Sequence, residues 1–156
     1  MRARSLAVLT LALVAFAASV ELFAQQAAAT RFAVVDVYVD SSVPLAAWQF
    51  ELRERNGGMQ VVGVENGDSR AYPDAPYFDR AAVDGGTADR IIVASFSLRP
   101  EAELPVGRAR VATVHVRLTG NAASDYPDYE LQLVAAGAAD GKPIDATISL
   151  DTRAGR

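Results

Sequence analysis

The ten residues 109–118, ARVATVHVRL, constrain the fold most. Ala112, Val114, Val116 and Leu118 fall on every second position, with Val111, Thr113, His115 and Arg117 between them. A period of two places successive side chains on opposite faces of a β-strand, whereas an amphipathic helix repeats its apolar residues every three or four. The same period runs through FAVVDVYVD (32–40), where Ala33, Val35, Val37 and Val39 share one face and Val34, Asp36, Tyr38 and Asp40 the other. It recurs in AAWQFELRER (46–55), where Trp48, Phe50 and Leu52 alternate with Gln49, Glu51 and Arg53. In RIIVASFSL (90–98), Ile92, Ala94, Phe96 and Leu98 face one way, and Ile144, Ala146, Ile148 and Leu150 line one side of a last strand. Shorter strands are expected at 59–64 and 129–135.

Turn residues separate these runs. Asn56-Gly57-Gly58, Asn66-Gly67-Asp68, Asp84-Gly85-Gly86 and Asp140-Gly141-Lys142-Pro143 supply them, and Pro100 and Pro105 bracket a connector. Asp79 is placed to cap a single helical turn beginning at Arg80. Seven or so short strands with no long helix-period segment predict an all-β domain, an antiparallel β-sandwich with polar outer faces. One such domain is expected over residues 30–152, followed by a tail at 153–156.

The start of the chain reads as an address. Arg2 and Arg4 form a positive n-region, and residues 6–20 are an apolar run with no charge before Glu21. That run is shorter than the ~20 residues of a spanning helix and fits a signal-peptide core. Residues 1–24 are therefore expected to be a signal peptide, cut after Ala24 or within 27–29. An uncleaved membrane anchor is the alternative. Export predicts a secreted, cell-surface or periplasmic protein with no later membrane span.

Composition excludes several chemistries. The chain of 156 residues carries a net charge of −4, unsuited to nucleic acid. Loss of residues 1–24 leaves 13 basic and 18 acidic residues, or −5. There is no cysteine, hence no disulfide, thiolate metal site or Cys nucleophile. His115 is the single histidine, on the strand face opposite Ala112 and Val114, where it reads as a solvent-facing residue. No G-x-S-x-G motif is present, and no pair of carboxylates stands out as a glycosidase would require. The protein is expected not to be an enzyme and to need no cofactor. Two acidic groups, Asp125, Asp128 and Glu130, and Asp79, Asp84 and Asp89, leave structural calcium as an alternative to solvated loop charge. Trp48 reads as core rather than as a sugar-stacking platform, because it alternates with Phe50 and Leu52.

The order of these motifs resembles that of cohesin domains. The resemblance rests on VVDVYVDSSVPLAAWQFELRERNGGMQVVGVENGD, with Val35, Val37, Leu45, Ala46, Ala47, Gln49, Phe50, Leu52, Val61, Val64 and Gly67 as matching residues. RIIVASFSL, LPVGRARVATVHVRL and ADGKPIDATISL are similar to the family's last strands, including a Gly-led strand and a terminal hairpin. The likeness spans most of residues 32–150. It implies a jelly-roll sandwich, shared with carbohydrate-binding modules, and a non-catalytic role. Cohesins bind calcium-loaded dockerins through one sheet face, assembling polysaccharide-degrading complexes. The implied partner is a dockerin-like protein; no contact residues carry over.

One segment stands outside the pattern. AYPDAPYFD (71–79) sets Tyr72, Tyr77 and Phe78 among two prolines, within a stretch of no clear period at 67–89. Two readings stand. The aromatics fold down as a lid or cover a sheet edge, or they remain exposed and contact a ligand or protein. Tyr126 and Tyr129, beside Pro127, are placed to extend the same surface. Direct binding of polysaccharide through these rings is the alternative to a protein partner.

Overall fold

The computed structural model describes residues 29–124 and 126–154. The leader expected at residues 1–24 and Asp125 lie outside the described residues.

The strands form where the period of two places them. They are β1 (Thr30–Ser41), β2 (Ala47–Glu54), β3 (Met59–Asn66), β4 (Arg90–Phe96), β5 (Gly107–Thr119), β6 (Tyr129–Gly137) and β7 (Ala146–Ala154). One short helix, α1 (Arg80–Asp84), precedes β4, and Asp79 caps it by accepting a hydrogen bond from the Ala82 N–H at 2.9 Å. The strands make two antiparallel sheets, ordered β3-β5-β1-β7 and β4-β2-β6. Each successive strand lies in the opposite sheet, so every connection crosses the sandwich. The turn at Asn56-Gly57-Gly58 is therefore present, with Gly57 and Gly58 at φ +73° and +92°, but it arches between sheets and closes no hairpin. β7 runs on through Arg153 and Ala154, residues expected in a tail.

The two inner faces meet in one core. β1 contributes Val35, Val37 and Val39, β5 Ala112, Val114, Val116 and Leu118, and β2 Trp48, Phe50 and Leu52. Trp48 is 2% exposed, stacked on Phe50 at 5.7 Å between ring centroids, as its alternation predicts. In β4 the core face is Ile91, Val93 and Ser95, so the apolar set Ile92, Ala94 and Phe96 faces out. Both sides of RIIVASF are apolar, and the period alone cannot rank them.

A β-bulge shapes the outer face of the larger sheet. Val37 pairs with Ala112 but Tyr38 pairs with Arg110, which leaves Val111 as the extra residue. Residues three apart on a regular strand point to opposite faces; the bulge puts Arg110 and Thr113 on one side. Arg110 Nη1 donates to Asp36 Oδ1 and Thr113 Oγ1 at 3.1 Å each. Thr113 Oγ1 donates to Asp36 at 2.7 Å, and Arg153 Nη2 approaches Asp36 Oδ2 at 2.7 Å. Arg110 also pairs with Asp68.

Asp36 is thus a buried carboxylate on an outward-pointing position. Its burial opposes ionisation, but hydrogen bonds from Arg153, Thr113 and Arg110 outweigh that effect and hold its carboxyl below the ordinary carboxylate range. A depressed folded-state value stabilises the protein above the unfolded pKa of ~3.9, and that stability is lost as pH falls through the folded value. Asp36→Asn is expected to cost ~1–3 kcal/mol at pH 7, because the arginines keep access to water. In urea melts the gap between variant and wild type should narrow steadily below about pH 4; a gap independent of pH would assign Asp36 a packing role only.

Candidate interaction face

The outer face of β4-β2-β6 is built from one residue in two along each strand. Its rows read Phe96–Ala47–Gly137, Ala94–Gln49–Ala135, Ile92–Glu51–Gln132 and Arg90–Arg53–Glu130. A bulge at Val134 in β6 keeps these rows aligned, since Gln49 pairs with Ala135 and Phe50 with Leu133. One end of the face is apolar and floored by small residues, and the other is charged.

The apolar end is a hollow of about 400 Å³. Small side chains at Ala47, Ala94 and Ala135 and the bare backbone of Gly137 make its floor, and Tyr77 and Pro143 stand at its sides. Tyr77 is held by two backbone hydrogen bonds, its N–H donating to Ala94 O at 2.8 Å and its carbonyl accepting from Ala94 N–H at 3.0 Å. That pairing extends the sheet by one residue and covers part of the β4 edge. The Tyr77 ring lies parallel to Phe96, 6.0 Å away with 3° between planes, and the two are 62% and 53% exposed. A second hollow, of about 440 Å³, lies beyond this pair between Pro73, Leu98 and Arg99.

The loop aromatics divide between the two readings. A tight turn at Ser69, whose carbonyl accepts from the Tyr72 N–H at 3.2 Å, sends Tyr72 inward. Tyr72 is 5% exposed, packs edge-on against Trp48 and donates its hydroxyl to Leu45 O at 2.6 Å. Burial pushes that hydroxyl far above the ordinary tyrosine value. Tyr72 is a lid over the core and is removed from any surface. Phe78 is half-buried against the core with the Arg80 guanidinium 5.0 Å from its ring centroid. Tyr77 alone of the three is largely exposed.

Tyr126 and Tyr129 do not extend this surface. Tyr129 pairs with Glu54 and Ala94 with Gln49, five residues apart on β2 or roughly 17 Å along the strand. Tyr126 is 91% exposed just before β6, at that distant end. Tyr129 is half-buried; burial, eased by Arg31 and reinforced by Glu54, pushes its hydroxyl up to about 12. Phe96, Ala94 and Ala135 are the face residues that sequence reasoning missed. The signal was the second apolar register of RIIVASF.

Three of the other candidates sit beside neighbours that occupy them structurally. His115 is half-buried above Gly63, with Nε2 3.0 Å from Glu65 Oε1. Asp79 is committed to its helix cap, and Glu130 accepts from Arg53 at 2.8 Å. Among the described residues no cluster of three or more His, Cys, Asp or Glu converges as a metal site would require, and no helix is long and apolar enough to cross a membrane.

Solved structures share this fold. The chain superposes on a non-cellulosomal cohesin from the hyperthermophilic archaeon Archaeoglobus fulgidus with a TM-score of 0.51 and 12% identity, over 74% of this chain and 73% of that one. The fold is cohesin-like. A chain of the CaDoc0917–CaCohA2 complex gives a TM-score of 0.53 at 12% identity, over 73% and 82% of the two chains. No family model matches the sequence, and no curated protein matches it. At this identity the likeness concerns the fold, and the cohesin-like fold is what positions the apolar face described above.

Proposed function

We propose that this chain is an exported, non-catalytic docking module that takes a protein partner on the outer face of β4-β2-β6. The observation that carries the reading is the exposed Tyr77–Phe96 pair beside an alanine-floored hollow on a rigid sheet. Aromatic anchors next to a shallow apolar pocket are the usual centre of a protein interface. The sequence resemblance and the cohesin-like fold favour a calcium-loaded dockerin as that partner. A polysaccharide is the weaker choice, because the hollow's lining is mostly apolar, with the side chains of Gln49, Ser95 and Tyr77 as its main groups able to hydrogen-bond sugar hydroxyls.

The test is calorimetric titration of the chain from residue 25 onward with a panel of dockerin domains, with calcium and with chelator. Binding in calcium is expected to weaken about 30-fold in Phe96→Ala and in Tyr77→Ala, the effect of losing ~2 kcal/mol at a hot spot, with little change in melting temperature. No binding by any dockerin, together with retention on insoluble polysaccharide, would transfer the role to carbohydrate binding.

A further inference from the structure

The chain contains two Asn-Gly pairs, Asn56-Gly57 and Asn66-Gly67, and the fold treats them differently. Asn56-Gly57 lies exposed in the arch between β2 and β3. Glu54 holds Asn56 from the strand side, accepting from its N–H and from its side-chain Nδ2 at 3.0 Å each. Those bonds leave the torsion that joins Asn56 to Gly57 free. Gly57 N–H reaches Glu54 O at 3.4 Å, beyond the ordinary N–H···O range of ~2.7–3.2 Å. The chain is next fixed at Gly58, whose carbonyl accepts from Thr119 N–H at 2.8 Å, so Gly57 is the pivot. Even an added Cβ at Gly57 would meet nothing within 4 Å. Asn66-Gly67 is clamped instead. Asn66 pairs with Ala112 at the end of β3, Gly67 N–H donates to Val111 O at 3.1 Å, and the Arg110 backbone closes the space beside Gly67.

We infer that Asn56 is a self-modification site, deamidating through a succinimide while the sheet protects Asn66. The inference is independent of the docking role. The Gly57 amide nitrogen gives its proton to solvent base and bonds to Asn56 Cγ. The Cγ–Nδ2 bond breaks, and ammonia leaves with a proton from solvent. Water then reopens the ring at one of its two carbonyls, giving aspartate, or isoaspartate with the main chain routed through the side chain. Glycine favours the attack because no side chain hinders its nitrogen. At Asn66 the end of β3 must first part from β5, and a group that reacts only from an open state is slowed by the cost of opening. The products do not fit the turn. Position 56 loses the Nδ2 donor and sets a new carboxylate beside that of Glu54, which is 5% exposed. Isoaspartate also lengthens the main chain. The arch between the sheets therefore loosens as the protein ages.

The test is peptide mapping by mass spectrometry of the folded protein aged at mildly alkaline pH, with isoaspartate read by methyltransferase labelling. Asn56 is expected to convert about tenfold faster than Asn66. In urea the two sites should convert at similar rates, since both are Asn-Gly and the clamp is gone. Aged protein should melt roughly 5 °C below fresh protein. Aged Asn56→Gln, whose longer side chain closes the ring far more slowly, should keep its melting temperature. Equal rates at the two sites in the folded protein, faster conversion at Asn66, or no conversion at Asn56 overturns the inference. An equal melting loss in aged Asn56→Gln overturns the destabilising effect assigned to this turn.

Discussion

Trp48→Ala is expected to remove ~3–5 kcal/mol of stability, enough to leave a domain of this size barely folded. The indole is buried between Phe50, on which it stacks, and Tyr72, which meets it edge-on at 6.0 Å. Its loss opens a cavity that the surrounding sheet cannot collapse to fill, because β2 is the middle strand of its sheet, held on both sides. The damage extends to the surface. Tyr72 rests on Trp48, and the turn that carries Tyr72 leads directly to Tyr77. Thermal unfolding should therefore fall by roughly 10–20 °C, and the variant should lose partner binding together with its fold. Trp48→Phe, which keeps most of the packed area, should recover the larger part of both. A Trp48→Ala protein that melts within a few degrees of wild type would show that this face of the core is not close-packed.

Gly67→Ala is expected to cost roughly 3 kcal/mol, the upper end for an inserted methyl group, because nothing near it can move. A Cβ at Gly67 would lie well inside contact with the backbone carbonyl of Arg110 and close to the backbone of Val111. These atoms belong to the bulge. Gly67 N–H donates to Val111 O and Asp68 N–H to Arg110 O, both at 3.1 Å, which draws the end of β3 tightly against β5. The substitution must separate the two strands, and it would displace Arg110 from Asp36 and Asp68. Urea denaturation measures the loss. A second signature distinguishes this from simple strain: the pH dependence assigned to Asp36 should shrink in part in Gly67→Ala, since Arg110 would no longer join Arg153 and Thr113 in holding its carboxylate. A variant with wild-type stability and an unchanged acid limb would refute the close approach.

Much of this architecture was legible because a period of two is a local property. The alternation in β1, β2 and β5 identified the buried valines and placed Trp48, Phe50 and Leu52 inside. Asp79 announced its cap, and the glycine turns fell where the chain reverses. These features depend on residues a few positions apart, which a local pattern contains. The candidate face was legible only in part. Tyr77 was singled out by its setting beside a proline, but so were Tyr72, Phe78, Tyr126 and Tyr129.

The sequence by itself determined that this chain makes alternating strands, where most of them begin and end, and which face of β1, β2 and β5 is oily. Only the tertiary structure decided which side of β4 turns inward, because Ile91 and Val93 differ little in hydropathy from Ile92 and Phe96. The choice belongs to the neighbouring sheet, which buries one side and leaves the other to form the floor beside Tyr77. Tertiary structure also decided that the turn at Gly57-Gly58 crosses between sheets, that Val111 bulges and so brings Arg110 onto the same face as Thr113, and that Tyr72 descends while Tyr77 stays out. Each is a matter of register between strands distant in sequence, and register is set by partners that a local pattern does not contain.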